Sequence, residues 1–177
     1  MNSENILNPS TGESSTGREQ ERLFKVAFDL PDGVAEWAGA ASERLWTAKT
    51  SVRWEVEVRN TPFYIKGVAF GDIVRIRADH ERREFVFEEF VSESGHSTVR
   101  VVLKSEDAGD RLGALFGVFG CSWEIDRAGI LWAIDVPVQV DYSSLRTALL
   151  ALANEGKIGI EEGALAREHR SEVELPD

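Results

Sequence analysis

The chain has 177 residues, 42% hydrophobic and 29% charged, with a formal net charge of −11 and a pI near 4.8. This is the mix of a globular protein of one domain or two small subdomains, with no apolar run near the roughly 20 residues that a membrane-spanning helix needs. The acidic field disfavours broad binding to nucleic-acid phosphates and favours encounter with a more basic partner.

Residues 1–22 are polar and almost free of apolar side chains, so a disordered tail is expected. They also lack the basic stretch and apolar core of a secretory leader. Cys121 is the only cysteine, so an intramolecular disulfide is excluded. Together these point to a cytoplasmic protein.

The first half reads as β structure. "LFKVAFDL", "ERLWTAKT" and "VRWEVEV" alternate with period two. In the last, Val52, Trp54, Val56 and Val58 share one face, and Trp54 is expected to be buried with Trp123 and Trp132. "NTPFYIKG" breaks the pattern at Pro62, which lacks an N–H, and reads as a loop. "GDIVRIRA" and "EFVFEEFV" are two more strands joined by the charged turn "ADHERRE". Short strands separated by turn signals suggest a small barrel over residues 23–96.

The second half alternates strands with helices. "STVRVVLK" is a strand, and "EDAGDRLGALFGVFG" carries Leu112, Leu115, Phe116 and Phe119 at helical spacing. Asp107 is its expected cap and Gly120 its stop. "CSWEIDRAGILWAIDVP" reads as a hairpin turning at Arg127–Gly129. "VDYSSLRTALLALANEGK" is a helix with a Leu145, Leu149, Leu152 stripe, capped by Asp141 or Ser143. "IGIEEGAL" is a last strand. Strand, helix, strand, strand, helix, strand is the order of a ferredoxin-like βαββαβ unit, assigned to residues 97–165. Residues 166–177 are expected to form a charged, fraying tail. The fold class is therefore α+β.

"RNTPFYIKGVAFGDIV" (Arg59 to Val74) and "ESGHSTVRV" (Glu93 to Val101), flanking a charged hairpin, resemble the bacterial family called domain of unknown function 4265 (DUF4265). The likeness extends over roughly residues 24–165. It implies that Asn60, Pro62, Phe63, Gly67, Gly71, Asp72, Gly95, His96, Ser97, Thr98 and Arg100 are family positions. The family name implies no activity.

These residues bear on three kinds of chemistry. A nucleophile elbow at "GHST" fails, because Val99 stands where the motif needs glycine and a strand follows where it needs a helix. His96-Ser97-Thr98 and His169-Arg170-Ser171 form a pair of H-x-[ST] patterns, as in two-histidine phosphoesterases, but the second lies in the charged tail. His80, His96, His169 and Cys121 show no metal-ligand spacing, so neither metal nor cofactor is implied. Cys121 is expected to be a buried, inert thiol. The structural reading of "SGHST" is a turn in which Gly95 takes positive φ and the hydroxyls satisfy turn amides.

The leading expectation is a non-enzymatic acidic module that binds a more basic protein as an inhibitor, immunity or regulatory protein. Candidate binding residues are Asn60, Phe63, Tyr64, Asp72, His96 and Arg100. Trp37, in the connection "DGVAEWAGAASERLW", is the one tryptophan expected to be exposed. The alternative is a small enzyme or ligand-binding protein whose pocket gathers His96, Arg100 and Asp72. No nucleic acid or membrane is expected as a partner.

Overall fold

The computed structural model describes residues 22–174; of the expected N-terminal tail only Arg22 falls among them. Strands β1 (Phe24–Asp29), β2 (Ser42–Lys49), β3 (Glu55–Val58), β4 (Ile73–Asp79) and β5 (Glu84–Ser92) form a closed barrel in chain order. Neighbours pair antiparallel. The barrel closes through a short parallel seam, Val26↔Phe85 and Ala27↔Val86. Period-two alternation turns Val26, Phe28, Leu45, Val56, Val58, Val74 and Ile76 inward to form its core.

The second sheet holds β6 (Ser97–Leu103), β7 (Ser122–Ile125), β8 (Leu131–Val136) and β9 (Ile158–Ala164) in the order β7-β8-β6-β9. All its pairings are antiparallel. Helices α2 (Ala108–Phe119) and α3 (Tyr142–Asn154) connect these strands. Leu112 and Phe116 of α2 and Leu145, Leu149 and Leu152 of α3 are buried in one cluster with Val99, Val101, Ile134 and Val136. Asp141 caps α3 by accepting the Ser144 N–H at 3.0 Å. Asp107 sits at the N-cap of α2 but caps nothing. Its carboxylate is held by Lys157 Nζ at 2.9 and 2.8 Å, which keeps it at a pKa of about 2. The described chain is thus a mixed α+β protein with two sheets and four helices.

Two local expectations are corrected, and one short helix is added. β3 begins only at Glu55, and Trp54 is not in the core: it is 43% exposed with a φ of +68°. The segment after Pro31 forms a seven-residue helix, α1 (Asp32–Ala38), too short to show a helical period. Residues 167–174 do not fray. They form α4 (Arg167–Glu174), pinned by His169, which is fully buried.

Cys121 is buried, and desolvation pushes its thiol up to about 12. Alkylation by iodoacetamide at pH 8 is therefore expected to run at least about a hundredfold slower in the folded chain than in urea. Labelling at equal rates would contradict this burial.

Candidate functional site

The long connection from β3 to β4 lies over the face of the second sheet that α2 and α3 leave open. Gly67 N–H donates to the Gly163 carbonyl at 2.9 Å, and the Thr98 hydroxyl to the Val68 carbonyl at 3.3 Å. Arg100 is the main tie. Val99 and Val101 face the helices, so the pleat turns Arg100 to the other side, where it is 3% exposed. Its Nε donates to the Pro62 carbonyl at 3.3 Å, one terminal nitrogen to the Ile65 carbonyl, and the other to Glu161 Oε2 at 3.0 Å. Gly163 makes room for it: a Cβ there would meet the guanidinium at 3.0 Å. Arg100 grips the protein's own loop, with each of its three nitrogens bonded within the fold.

Asp72, at the end of the same connection, is also structural. It is 3% exposed, and its two oxygens accept the Ala69 N–H at 2.7 Å and the Ser94 N–H at 2.8 Å. Burial outweighs these bonds and raises its pKa. Asp72 thereby anchors the "SESGHST" turn, where Gly95 takes a φ of +90° and Ser94 donates to the Phe70 carbonyl at 2.6 Å. Asn60 has a similar duty, accepting the Trp46 N–H at 2.7 Å.

His96 is more accessible, with 26% of its side chain exposed. Its Nδ1 lies 2.7 Å from Asp135 Oδ1, and its ring packs 5.4 Å from that of Phe70. Burial raises the pKa of Asp135. His96 and Asp72 both line a cleft of about 440 Å³, together with Glu93, Glu162 and Arg170. Arg100 does not line it, so the expected convergence of His96, Arg100 and Asp72 is only partly present.

The two H-x-[ST] patterns meet, but in the core. His169 Nδ1 lies 2.7 Å from the Ser97 hydroxyl, which accepts the Ala166 N–H at 2.8 Å. Both side chains are fully buried, and His169 packs 5.3 Å from the ring of Tyr142. The bond orders α4 against β6. It does not present two imidazoles to a cleft.

Phe63 and Tyr64 stand in a different setting. Their amides and that of Ile65 all donate to the Glu43 carboxylate, at 2.6, 2.9 and 2.8 Å. Three successive N–H groups around one carboxylate form an anion nest that fixes this loop. Tyr64 meets Trp37 edge to face at 5.5 Å, and Phe63 lies 6.2 Å from Tyr64. Trp37 is 62% exposed, as its position outside the strands suggested. The Tyr64 hydroxyl is held above its ordinary pKa by partial burial, then by the charges of Asp126 and Glu43. Glu43 and Asp135, which orient these groups, carry no sequence signal that separates them from other acidic residues. Among the described residues, no group of histidine, cysteine and carboxylate side chains could hold a metal ion. No described helix is long and apolar enough to cross a membrane.

Barrel, covering loop and four-stranded sheet define an α+β protein in which one connection joins the two sheets. The model of the family "Domain of unknown function (DUF4265)" matches residues 43–160, and the chain belongs to that family. A crystal structure of a hypothetical protein from Neisseria gonorrhoeae is similar in fold, with a TM-score of 0.61 at 15% identity over 82% of this chain and 96% of that one. No curated protein matches the chain.

Proposed function

We propose that this chain is a non-enzymatic cytoplasmic binding module that docks on a more basic protein through the Trp37, Phe63 and Tyr64 surface. One observation carries this reading: an exposed tryptophan packs edge to face on a tyrosine whose backbone is fixed by Glu43. Aromatic side chains held in place before contact lose little freedom on binding, which suits them to anchor an interface. Asp32 and Glu36 share α1 with Trp37, and Asp126 acts on Tyr64. Such a rim suits lysine and arginine side chains, which also favour aromatic faces. The net charge of −11 supports the same choice of partner.

The reading treats residues 23–96 as a barrel subdomain and 97–165 as a ferredoxin-like one. The strand order β7-β8-β6-β9 and the βαββαβ element order support it. The alternative is a small-ligand site in the cleft beside His96 and Asp72, favoured by the placement of His96 on its wall with its Nδ1 held by Asp135 from behind.

The test is capture from native cytosol on immobilised wild type, Trp37→Ala/Tyr64→Ala and His96→Ala, read by mass spectrometry with circular dichroism melts of all three. A basic partner is expected to stay with the His96 variant and to weaken at least about tenfold with the double variant. It should also weaken as salt rises. A partner kept by the folded double variant would refute this surface, and one lost only in a folded His96→Ala would favour the cleft.

A further inference from the structure

The barrel has an open end that the docking surface does not use. The start of β1, the end of β2, the turn into β3 and the start of β5 meet there around a concavity of about 1070 Å³. Its apolar wall is a chain of rings: Phe24 lies 5.6 Å from Phe85 edge to face, and Phe85 lies 6.3 Å from Trp54. Trp54 and Phe85 are 43% and 38% exposed, so both rings are partly open to solvent. Its polar wall carries Arg22, Lys49 and Arg53. None of these three has a carboxylate partner among the described residues; Lys25, Arg83, Lys104, Arg127 and Arg167 likewise have none, whereas Arg44, Arg75, Arg82, Arg111, Arg146 and Lys157 are paired. Arg53 lies over the Trp54 ring at 5.3 Å. Glu55, the carboxylate on the wall, is bonded by Arg75 at 3.0 Å.

The site is built before any ligand arrives. Thr50 N–H donates to the Glu55 carbonyl at 3.2 Å, Val52 N–H to the Thr50 hydroxyl at 3.1 Å, and Ile76 N–H to the Trp54 carbonyl at 2.9 Å. These bonds hold the turn that lifts Trp54 out of the strand. On a chain of net charge −11, this wall carries three cations and one carboxylate.

We propose that the open end of the barrel binds a small aromatic anion, its flat ring against Trp54 and Phe85 and its phosphate or carboxylate between Lys49 and Arg53. Ring stacking and a charge-assisted contact act on the two ends of one molecule. The concavity has the size of a small-molecule site. The acidic remainder of the surface repels a long polyanion far more than a ligand of one or two charges, which selects the small molecule over a nucleic-acid strand.

The full chain is titrated by calorimetry with adenosine monophosphate and with 1-naphthoate, and with adenosine, inorganic phosphate and an eight-nucleotide oligothymidylate. Lys49→Glu/Arg53→Glu is compared with Lys104→Glu/Arg127→Glu, which makes the same charge change elsewhere. Indole N–H resonances are followed by NMR, with Trp54→Phe assigning the Trp54 signal. At least one aromatic anion is expected to bind and shift the Trp54 signal. The site variant should weaken that binding at least about tenfold, and the control less than about threefold. Binding of the monophosphate alone assigns a phosphate ligand, and of naphthoate alone a carboxylate. The proposal is overturned if neither anion binds, if adenosine binds equally well, if the control weakens binding as much, or if the Trp54 signal stays fixed. It is also overturned, in favour of a nucleic-acid strand, if the oligonucleotide binds more tightly than the monophosphate.

Discussion

Replacing Arg100 with alanine is expected to lower the free energy of unfolding by about 2–4 kcal/mol, mainly from two carbonyls left without a donor and the void beneath the loop. The guanidinium is 3% exposed and serves the Pro62 and Ile65 carbonyls and the Glu161 carboxylate together. Alanine would leave those acceptors without their donor and a void beneath the loop. Lysine should recover only part of the loss, because one ammonium cannot reproduce a planar fork reaching in three directions. Gly163→Ala approaches the same contact from the other strand, since its Cβ would sit 3.0 Å from the guanidinium. Urea denaturation of the three variants measures this. A loss below about 1 kcal/mol for Arg100→Ala would mean that the loop is held by other contacts.

Glu43→Ala should cost about 2–3 kcal/mol, from roughly 1 kcal/mol for each of the Phe63, Tyr64 and Ile65 amides it leaves without an acceptor. The loss is local. Hydrogen exchange at those amides should accelerate far more than at Val99 or Val101 in the middle of the second sheet. Glu43→Gln retains one acceptor oxygen but turns an NH₂ group towards a donor, so it should fall between alanine and wild type. Because the Tyr64 backbone positions the ring that Trp37 packs on, Glu43→Ala should also weaken capture of the proposed basic partner. Unchanged exchange at Phe63–Ile65 would remove Glu43 from that role.

Much of the architecture was legible from alternation. Val26, Phe28, Val56, Val58, Val74 and Ile76 line the barrel because their strands repeat with period two. The leucine stripe of α3 and its Asp141 cap follow from helical spacing and from the competition of a short polar side chain for the first amides. Trp54 shows the limit: period two carries the strand back to Val52, three residues into a turn whose positive φ no composition rule marks. Alternation also placed Arg100 opposite Val99 and Val101, but it is blind to what covers that face. The guanidinium was therefore read as open to a ligand when a loop some 35 residues earlier occupies it. His169 was misjudged for a related reason. Its neighbours are charged, and only the distant Ser97 explains why that one ring turns inward. Glu43 is one of 31 acidic residues, and nothing nearby in the chain announces that it meets the loop at residues 63–65.

The path of the chain imposes an order on its own completion. Every strand of the barrel lies between Phe24 and Ser92, so its hydrogen bonds can all be made while the remainder is still on the ribosome. The loop that carries Phe63 and Tyr64 belongs to that early half, yet its clasp includes Glu161 and Gly163, near the other end. During synthesis, and in any nascent chain stalled before β9, Arg100 lacks its carboxylate and Gly67 lacks the carbonyl it donates to. The Glu43 bonds that set Phe63 and Tyr64 can form early, but the far side of the loop is closed last, and a truncated product would display those rings on a loop not yet tied to the second sheet.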